Sequence, residues 1–180
     1  MNKVYLFFLA LSLVFTSSCE KTELQDDFQT DVELKSAQMK ITRNFRAHLS
    51  SDQEVPPVES MATGQATFQL SKDGETLSYK LIVANIEDVL MAHIHMGPAG
   101  QNGGVVAWLY PAGPPPTLIP GTTNGILAEG EITAGDLVGA LAGGELKDLL
   151  DQMAWGNTYV NVHTSMYTGG EIRGQISGGK

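Results

Sequence analysis

AHIHMGPAGQNGGVV, residues 92–106, has the pattern of a strand end, a tight turn rich in Gly, Pro and Asn, and the start of the next strand. Successive side chains of an extended backbone alternate between faces, so His93 and His95 project to one face and the isoleucine between them to the other. His163 follows a similar alternation in YVNVHT, residues 159–164. Whether these three imidazoles meet in space is the main functional question that the sequence raises.

Period-two alternation of apolar and polar residues dominates the rest of the domain and predicts strands. It is clearest in a predicted hairpin, where strands at 66–70 and 77–83 flank a turn at 72–75. Further strands are predicted at residues 45–50, 105–110, 126–132, 158–164 and 170–176. Three consecutive prolines at 114–116 exclude a central strand there, so residues 111–124 are predicted to form a long loop.

The segment 133–153 is the predicted helical insertion. Thr133 and Asp136 have capping-box spacing, which predicts a first helix that ends at Gly143-Gly144, and a second short helix is predicted over 145–153. Many short strands with one helical insertion favour an all-β fold, an antiparallel β-sandwich or barrel. The alternative is a more open sheet packed on the helical pair.

The N-terminus has the pattern of an exported lipoprotein. Residues 1–18 combine a short basic start with an apolar run too short to span a bilayer, which predicts a signal peptide. The small residues before Cys19 resemble a bacterial lipobox, so this cysteine is predicted to carry a lipid and to become the mature N-terminus. The alternative is an ordinary signal peptide with an incidental cysteine. Residues 19–40 are acid-rich and predict a flexible tether to a single domain at 41–180.

The charge of the chain limits the partners that it can bind and the compartments in which we expect it. Removing the signal peptide takes away one of the 11 basic residues, Lys3, and changes the formal net charge from -9 to -10. Such an acidic chain is repelled by phosphate, which argues against nucleic acid as a partner. Its only contact with a membrane is expected to be the N-terminal lipid. We therefore expect an extracytoplasmic protein of the cell envelope, anchored to a bacterial membrane at the outer membrane or the cell surface.

Several ordered motifs carry a family resemblance. They are FRAHLS (45–50), EVPPV (54–58), ATGQA (62–66), AHIH with the turn GPAGQNG (92–103), YVNVHT (159–164) and GEIRGQI (170–176). Together they resemble the CHRD domain, a module named after chordin that also occurs singly in bacterial secreted proteins. The resemblance runs from about Phe45 to Ile176, with departures at Gly104 and Thr168, where the family often has Pro. It implies structural motif residues at Gly97, Pro98, Asn102, Gly103, Asn161, Glu171 and Arg173, and it supplies no catalytic residue set.

The three histidines admit two interpretations. If the two histidine strands are neighbours, His93, His95, His163 and Asn161 line one polar patch, and three imidazoles with an open position suit copper or zinc. Independently of the histidines, the predicted sandwich or barrel is expected to be immunoglobulin-like or similar to that of the Cu,Zn superoxide dismutases. The histidines are too few for the two metals of a dismutase site. In the alternative, the imidazoles hydrogen-bond to turn backbones and hold the Gly-rich loop in place.

Three functions are compatible with these observations. The favoured hypothesis is a membrane-tethered module that binds a protein or glycan through its loops at 96–104 and 111–124, because loops on a rigid scaffold commonly carry recognition. The second is a copper- or zinc-binding protein that uses the three histidines. The third is a structural envelope lipoprotein. No serine or cysteine nucleophile has a recognisable setting, so we expect no enzyme, while a metal-dependent redox activity stays compatible with the histidines.

Overall fold

The computed structural model describes residues 43–179. The predicted signal peptide at 1–18, the lipidation of Cys19 and the tether at 19–40 lie outside the described residues. The strands are β1 (Asn44–Ser50), β2 (Thr63–Leu70), β3 (Leu77–Met96), β4 (Gly104–Tyr110), β5 (Ile119–Ile132), β6 (Thr158–Thr164), β7 (Ile172–Gln175) and β8 (Ser177–Gly178), and the α-helix is α1 (Leu146–Ala154). All strand pairs are antiparallel.

The long strand β3 organises the sheet. Its first half pairs with β2 and β5, and its second half pairs with β6 and β4. Between the halves the register shifts, and Asn85 and Asp88 take positive φ values of 56° and 50°. Short polar residues tolerate this conformation better than other non-glycine residues do. The bend there lets one strand pair with four neighbours, whereas the sequence predicts separate strands at 77–83 and around the histidines.

The strand pairings form a closed ring, in the order β1, β2, β3, β6 and β7, with β7 returning to β1. The interior is apolar and includes Phe68, Leu81, Ile94, Val160 and Ile172. Because β6 is buried along its whole length, both of its faces are covered. The predicted all-β sandwich or barrel is confirmed, with α1 as its one α-helix within residues 43–179.

Two predictions about local structure are wrong in part. The predicted loop at 111–124 is shorter, because β5 already begins at Ile119 and pairs with β3 there. The first predicted helix is replaced by two short 3-10 turns, although the Thr133 capping box does form. The helix is interrupted because Val138 N–H donates to Val106 O on β4 at 2.9 Å. The second helix is confirmed as α1. No helix within residues 43–179 is long and apolar enough to cross a bilayer.

Candidate metal centre

The second half of β3 and its neighbour β6 bring three histidines together. His93 and His95 lie two residues apart on β3, and His163 lies on β6. One ring nitrogen from each lies within 4.8 Å of the others. Within residues 43–179, these three form the group of side chains that could hold a metal ion. We call His93, His95 and His163 the histidine cluster.

Backbone carbonyls fix the tautomers of two of the three rings. The Nδ1 atom of His95 lies 2.9 Å from the carbonyl oxygen of Gly103, and that of His163 lies 3.0 Å from the carbonyl oxygen of Thr168. Since a carbonyl oxygen only accepts, each Nδ1 donates a hydrogen and each Nε2 keeps a free lone pair. Metal-binding histidines usually have this arrangement, in which the second ring nitrogen donates to a carbonyl or a carboxylate.

The remaining nitrogens of the cluster are poorly satisfied. His93 Nδ1 lies 3.3 Å from His163 Nε2, which is a long contact for a hydrogen bond. The Nε2 atoms of His93 and His95 are buried and have no hydrogen-bond partner among the described residues. Leaving a buried polar atom unpaired costs about 1–3 kcal/mol. A metal ion would satisfy these lone pairs, so the donor set fits such a ligand.

Burial keeps the cluster uncharged. Burial, together with charge repulsion from neighbouring imidazoles, lowers the pKa of His93 to about 3 and that of His163 to about 4. Burial also lowers the pKa of His95. At neutral pH all three rings are therefore neutral, which is the form that binds metal ions.

Aromatic neighbours hold the cluster in place. The indole of Trp108 on β4 packs edge-on against His93, with ring centroids 4.2 Å apart. Tyr159 on β6 stacks on His95 at 5.0 Å with an interplanar angle of 11°. Arg173 lies on β7, the neighbour of β6. Its guanidinium carbon is 3.6 Å from the centroid of the Tyr159 ring. The rings therefore have little freedom to turn away from one another.

The turn at 97–103 is fastened over this face of the sheet. Arg173, which is 2% exposed, donates to Asn102 Oδ1 at 3.0 Å and to Gln101 O at 2.9 Å. Asn102 in turn donates to the carbonyl of Val55 at 2.8 Å. Gly103 N–H donates to the hydroxyl of Tyr159 at 3.0 Å. The arginine therefore binds loop groups, which is the structural role that the sequence suggests for it.

The other motif residues occupy different settings around the turn. Gly97 is buried and donates to the carbonyl of Asn157 at 2.8 Å, whereas Pro98 is exposed at the tip of the turn. Glu171 is buried and accepts a hydrogen bond from Ser60 Oγ at 2.6 Å. Asn161 is buried, and its register on β6 places it between His93 and Arg173.

Glu54 is a buried carboxylate that the sequence does not predict as a site residue. This carboxylate is 5% exposed, and its Oε1 atom has no hydrogen-bond partner among the described residues. Burial raises its pKa from 4.5 to about 7, against the opposing charge of Arg173. Its motif, EVPPV, shows no periodicity, so nothing in the local pattern distinguishes a buried carboxylate from an exposed one in a turn.

Comparison with known families decides the identity of the domain. The family model of the CHRD domain matches residues 45–176, well over half of the chain. The chain belongs to the CHRD domain family. The CHRD match has the bounds that the sequence motifs predict, and the histidine cluster and the fastened turn lie inside it. No curated protein and no solved structure shows significant similarity to this CHRD protein.

Proposed function

We propose that this CHRD protein is a lipid-tethered, extracytoplasmic module that binds one copper or zinc ion through His93, His95 and His163. The observation that carries the proposal is the pair of buried Nε2 atoms, on His93 and His95, that have no protein partner within the described residues. Neutral imidazoles are suitable ligands for these two metals, and carbonyls already hold the Nδ1 atoms of His95 and His163.

The structural interpretation of the histidines explains only part of this geometry. The Nδ1 atoms of His95 and His163 fasten two turns, as a structural histidine would. A purely structural role gives no reason for burying the Nε2 atoms of His93 and His95 without partners. An apolar side chain at either position would avoid the free-energy cost of an unpaired buried polar atom. The two roles use different nitrogens and are therefore compatible.

Metal titration tests the proposal. The chain from Glu20 onward, purified without an affinity tag or a chelator, is titrated with copper and zinc and assayed for metal content. We expect about one equivalent of bound metal, which is lost in His163→Ala. His48→Ala is the matched control, because His48 is exposed on β1 and lies outside the cluster. Absence of metal at micromolar titrant, or equal binding by His163→Ala, would contradict the proposal.

The proposed compartment has its own test. The CHRD family suggests an extracellular β-fold module, and the sequence of residues 16–19 supports a lipid anchor at Cys19. In a bacterial host we expect the wild-type protein in the membrane fraction, labelled by radioactive palmitate. Cys19→Ser should lose the label and leave that fraction. Retention of the variant in the membrane fraction would contradict the lipid anchor.

A second candidate function is recognition of a protein or glycan at the cell surface. Its support is the turn at 97–103, whose exposed tip at 98–102 is held by the buried Arg173. A fixed, exposed loop on a rigid scaffold loses little entropy on binding. The exposed proline segment at 114–116 is the other candidate contact.

Saturable binding distinguishes this second candidate from a structural envelope lipoprotein. Purified protein is applied to a glycan array and to isolated cell surfaces, and the bound fraction is measured against concentration. Recognition predicts saturation, and it predicts weaker binding for the exposed-tip variant Gln101→Ala. Binding that never saturates would leave the structural role as the remaining interpretation.

A further inference from the structure

A methionine lies beside the histidine cluster on the same face of the sheet. Met91 pairs directly with His163 across β3 and β6, and directly opposite residues of an antiparallel pair lie on one face. Met91 also precedes His93 by two positions, and the register with β6 is regular from 91 to 96, so Met91, His93 and His95 share that face.

A β-bulge gives Met91 this orientation. Val89 pairs with Thr164 and Met91 with His163, so Leu90 is an extra residue on β3. Bulges of this kind re-aim side chains and are common beside functional sites. Val89 points into the core and is fully buried, whereas Met91 is partly exposed on the opposite face. A thioether is therefore placed next to imidazoles and not in the hydrophobic core.

The three imidazoles of the cluster suit copper and zinc alike, so a further donor would decide between the two metals. Within residues 43–179, the group of potential ligands consists of three imidazoles and contains no carboxylate. A thioether is a ligand that copper(I) accepts, whereas zinc is bound by imidazole, thiolate and carboxylate. Methionine is also flexible enough to bring its sulfur to an ion.

We infer that Met91 supplies a thioether as a fourth donor and that the site takes copper(I) in preference to zinc. The inference rests on the proposed metal-binding function and specifies which metal the site binds. It places a sulfur donor on β3 opposite His163, while Trp108 on β4 packs against His93.

Met91→Leu tests the inference, because leucine keeps the volume and removes the sulfur. Copper(I) is titrated under anaerobic conditions against a competing chelator, and zinc is titrated separately. We expect copper(I) affinity to fall about tenfold or more in Met91→Leu, the scale on which ligand environments alter metal affinity, with zinc affinity unchanged. Met96→Leu is the control, since Met96 ends the same strand and packs against the core. It should bind both metals as the wild type does.

X-ray absorption of the copper(I)-loaded wild type gives a test that needs no variant. A sulfur scatterer at about 2.3 Å, the usual length of a metal–sulfur bond, is expected in the wild type and not in Met91→Leu. A copper(I) spectrum with nitrogen ligands alone, or unchanged affinity in Met91→Leu, would overturn the inference and leave the three-histidine site standing. A wild type that binds neither metal would overturn the proposed function itself.

Discussion

Each histidine of the cluster uses its two ring nitrogens differently. On His95, Nδ1 fastens the turn through Gly103 O while Nε2 has no hydrogen-bond partner among the described residues. On His163, Nδ1 binds Thr168 O while Nε2 lies 3.3 Å from His93 Nδ1. A single substitution therefore removes a turn contact and a potential ligand together. Loss of metal in a histidine variant is informative only if the stability of the metal-free protein is measured as well.

His95→Ala should lower the free energy of unfolding even without metal. The substitution leaves the partly buried carbonyl of Gly103 without its donor and removes the stacking partner of Tyr159, so we expect a loss of about 1–3 kcal/mol. Chemical denaturation in the presence of a chelator measures it. His48→Ala, at an exposed position, should change stability by less than about 0.5 kcal/mol. Equal stability of wild type and His95→Ala would contradict the fastening role.

Glu54 gives the protein a pH dependence opposite to that of an ordinary carboxylate. Its pKa is about 7 when folded and 4.5 as a free side chain, so between these values the folded state binds more protons. Its contribution to stability is therefore fully present below pH 4.5 and is lost as the pH rises through 7. The lost contribution is on the order of 3 kcal/mol at most.

Glu54→Gln isolates this effect from the titration of the histidines. Glutamine resembles the protonated acid and does not ionise. We expect the stability of the wild type relative to Glu54→Gln to fall as the pH rises from 4.5 to 7 and to level off above about pH 8. Denaturant melts at intervals of one pH unit measure this difference. A difference that stays constant from pH 4 to pH 8 would show that Glu54 titrates normally.

The element that joins fold and site is the turn between β3 and β4. A Cβ atom on Gly103 would overlap the carbonyl oxygen of Met96, so only glycine fits the close approach of the two strands. Gly103→Ala should destabilise the domain by about 1–3 kcal/mol, or by more if the turn cannot relax. Gly104→Ala is the matched control, because a Cβ there meets no atom within 4 Å. Thermal melts of both variants test whether the turn requires glycine at position 103. Equal melting temperatures for the two variants would contradict this requirement.

The sequence predicts strands well where apolar and polar residues alternate regularly. It predicts them poorly where pairing with a neighbouring strand determines how far a strand extends. The hairpin of β2 with β3 and the histidine strand β6 follow from period-two alternation alone. The continuity of β3 does not, since Asn85 and Asp88 look like turn residues and yet form a bend within a strand. The start of β5 at residue 119 is not predicted either. Residues 119–124 contain Pro and Gly, which are typical of a loop, but they pair with β3.

The same limit applies to the candidate site. Alternation indicates that His93 and His95 share a face, but their approach to His163 depends on the pairing of β3 with β6, which no local pattern encodes. The bulge at Leu90 that turns Met91 toward that face is likewise a property of the pair of strands. Glu54 lies in an irregular turn, where burial depends entirely on packing against distant residues.

At the scale of the whole molecule, one sheet separates two different interiors. One face of β3 and β6 contributes Ile94, Val160 and Val162 to the apolar core. The opposite face is polar and is buried under loops held by hydrogen bonds from Arg173 and Asn102. A chain that can form no internal disulfide, with Cys19 as its single cysteine, depends on the first interior for stability and leaves the second available for a ligand.

Metal binding at the second interior should stabilise the whole domain. A ligand that binds only the folded state adds about 2.7 kcal/mol when its free concentration is 100 times its Kd. For a domain of this size, that corresponds to a rise in melting temperature on the order of 10 °C. Calorimetry with copper(I) under anaerobic conditions, and separately with zinc, measures the rise, which a chelator should reverse. His163→Ala should show no rise with either metal, and His48→Ala should show the full one, because only the first belongs to the cluster. A wild-type melting temperature that neither metal changes would contradict metal binding by the buried nitrogens of His93 and His95.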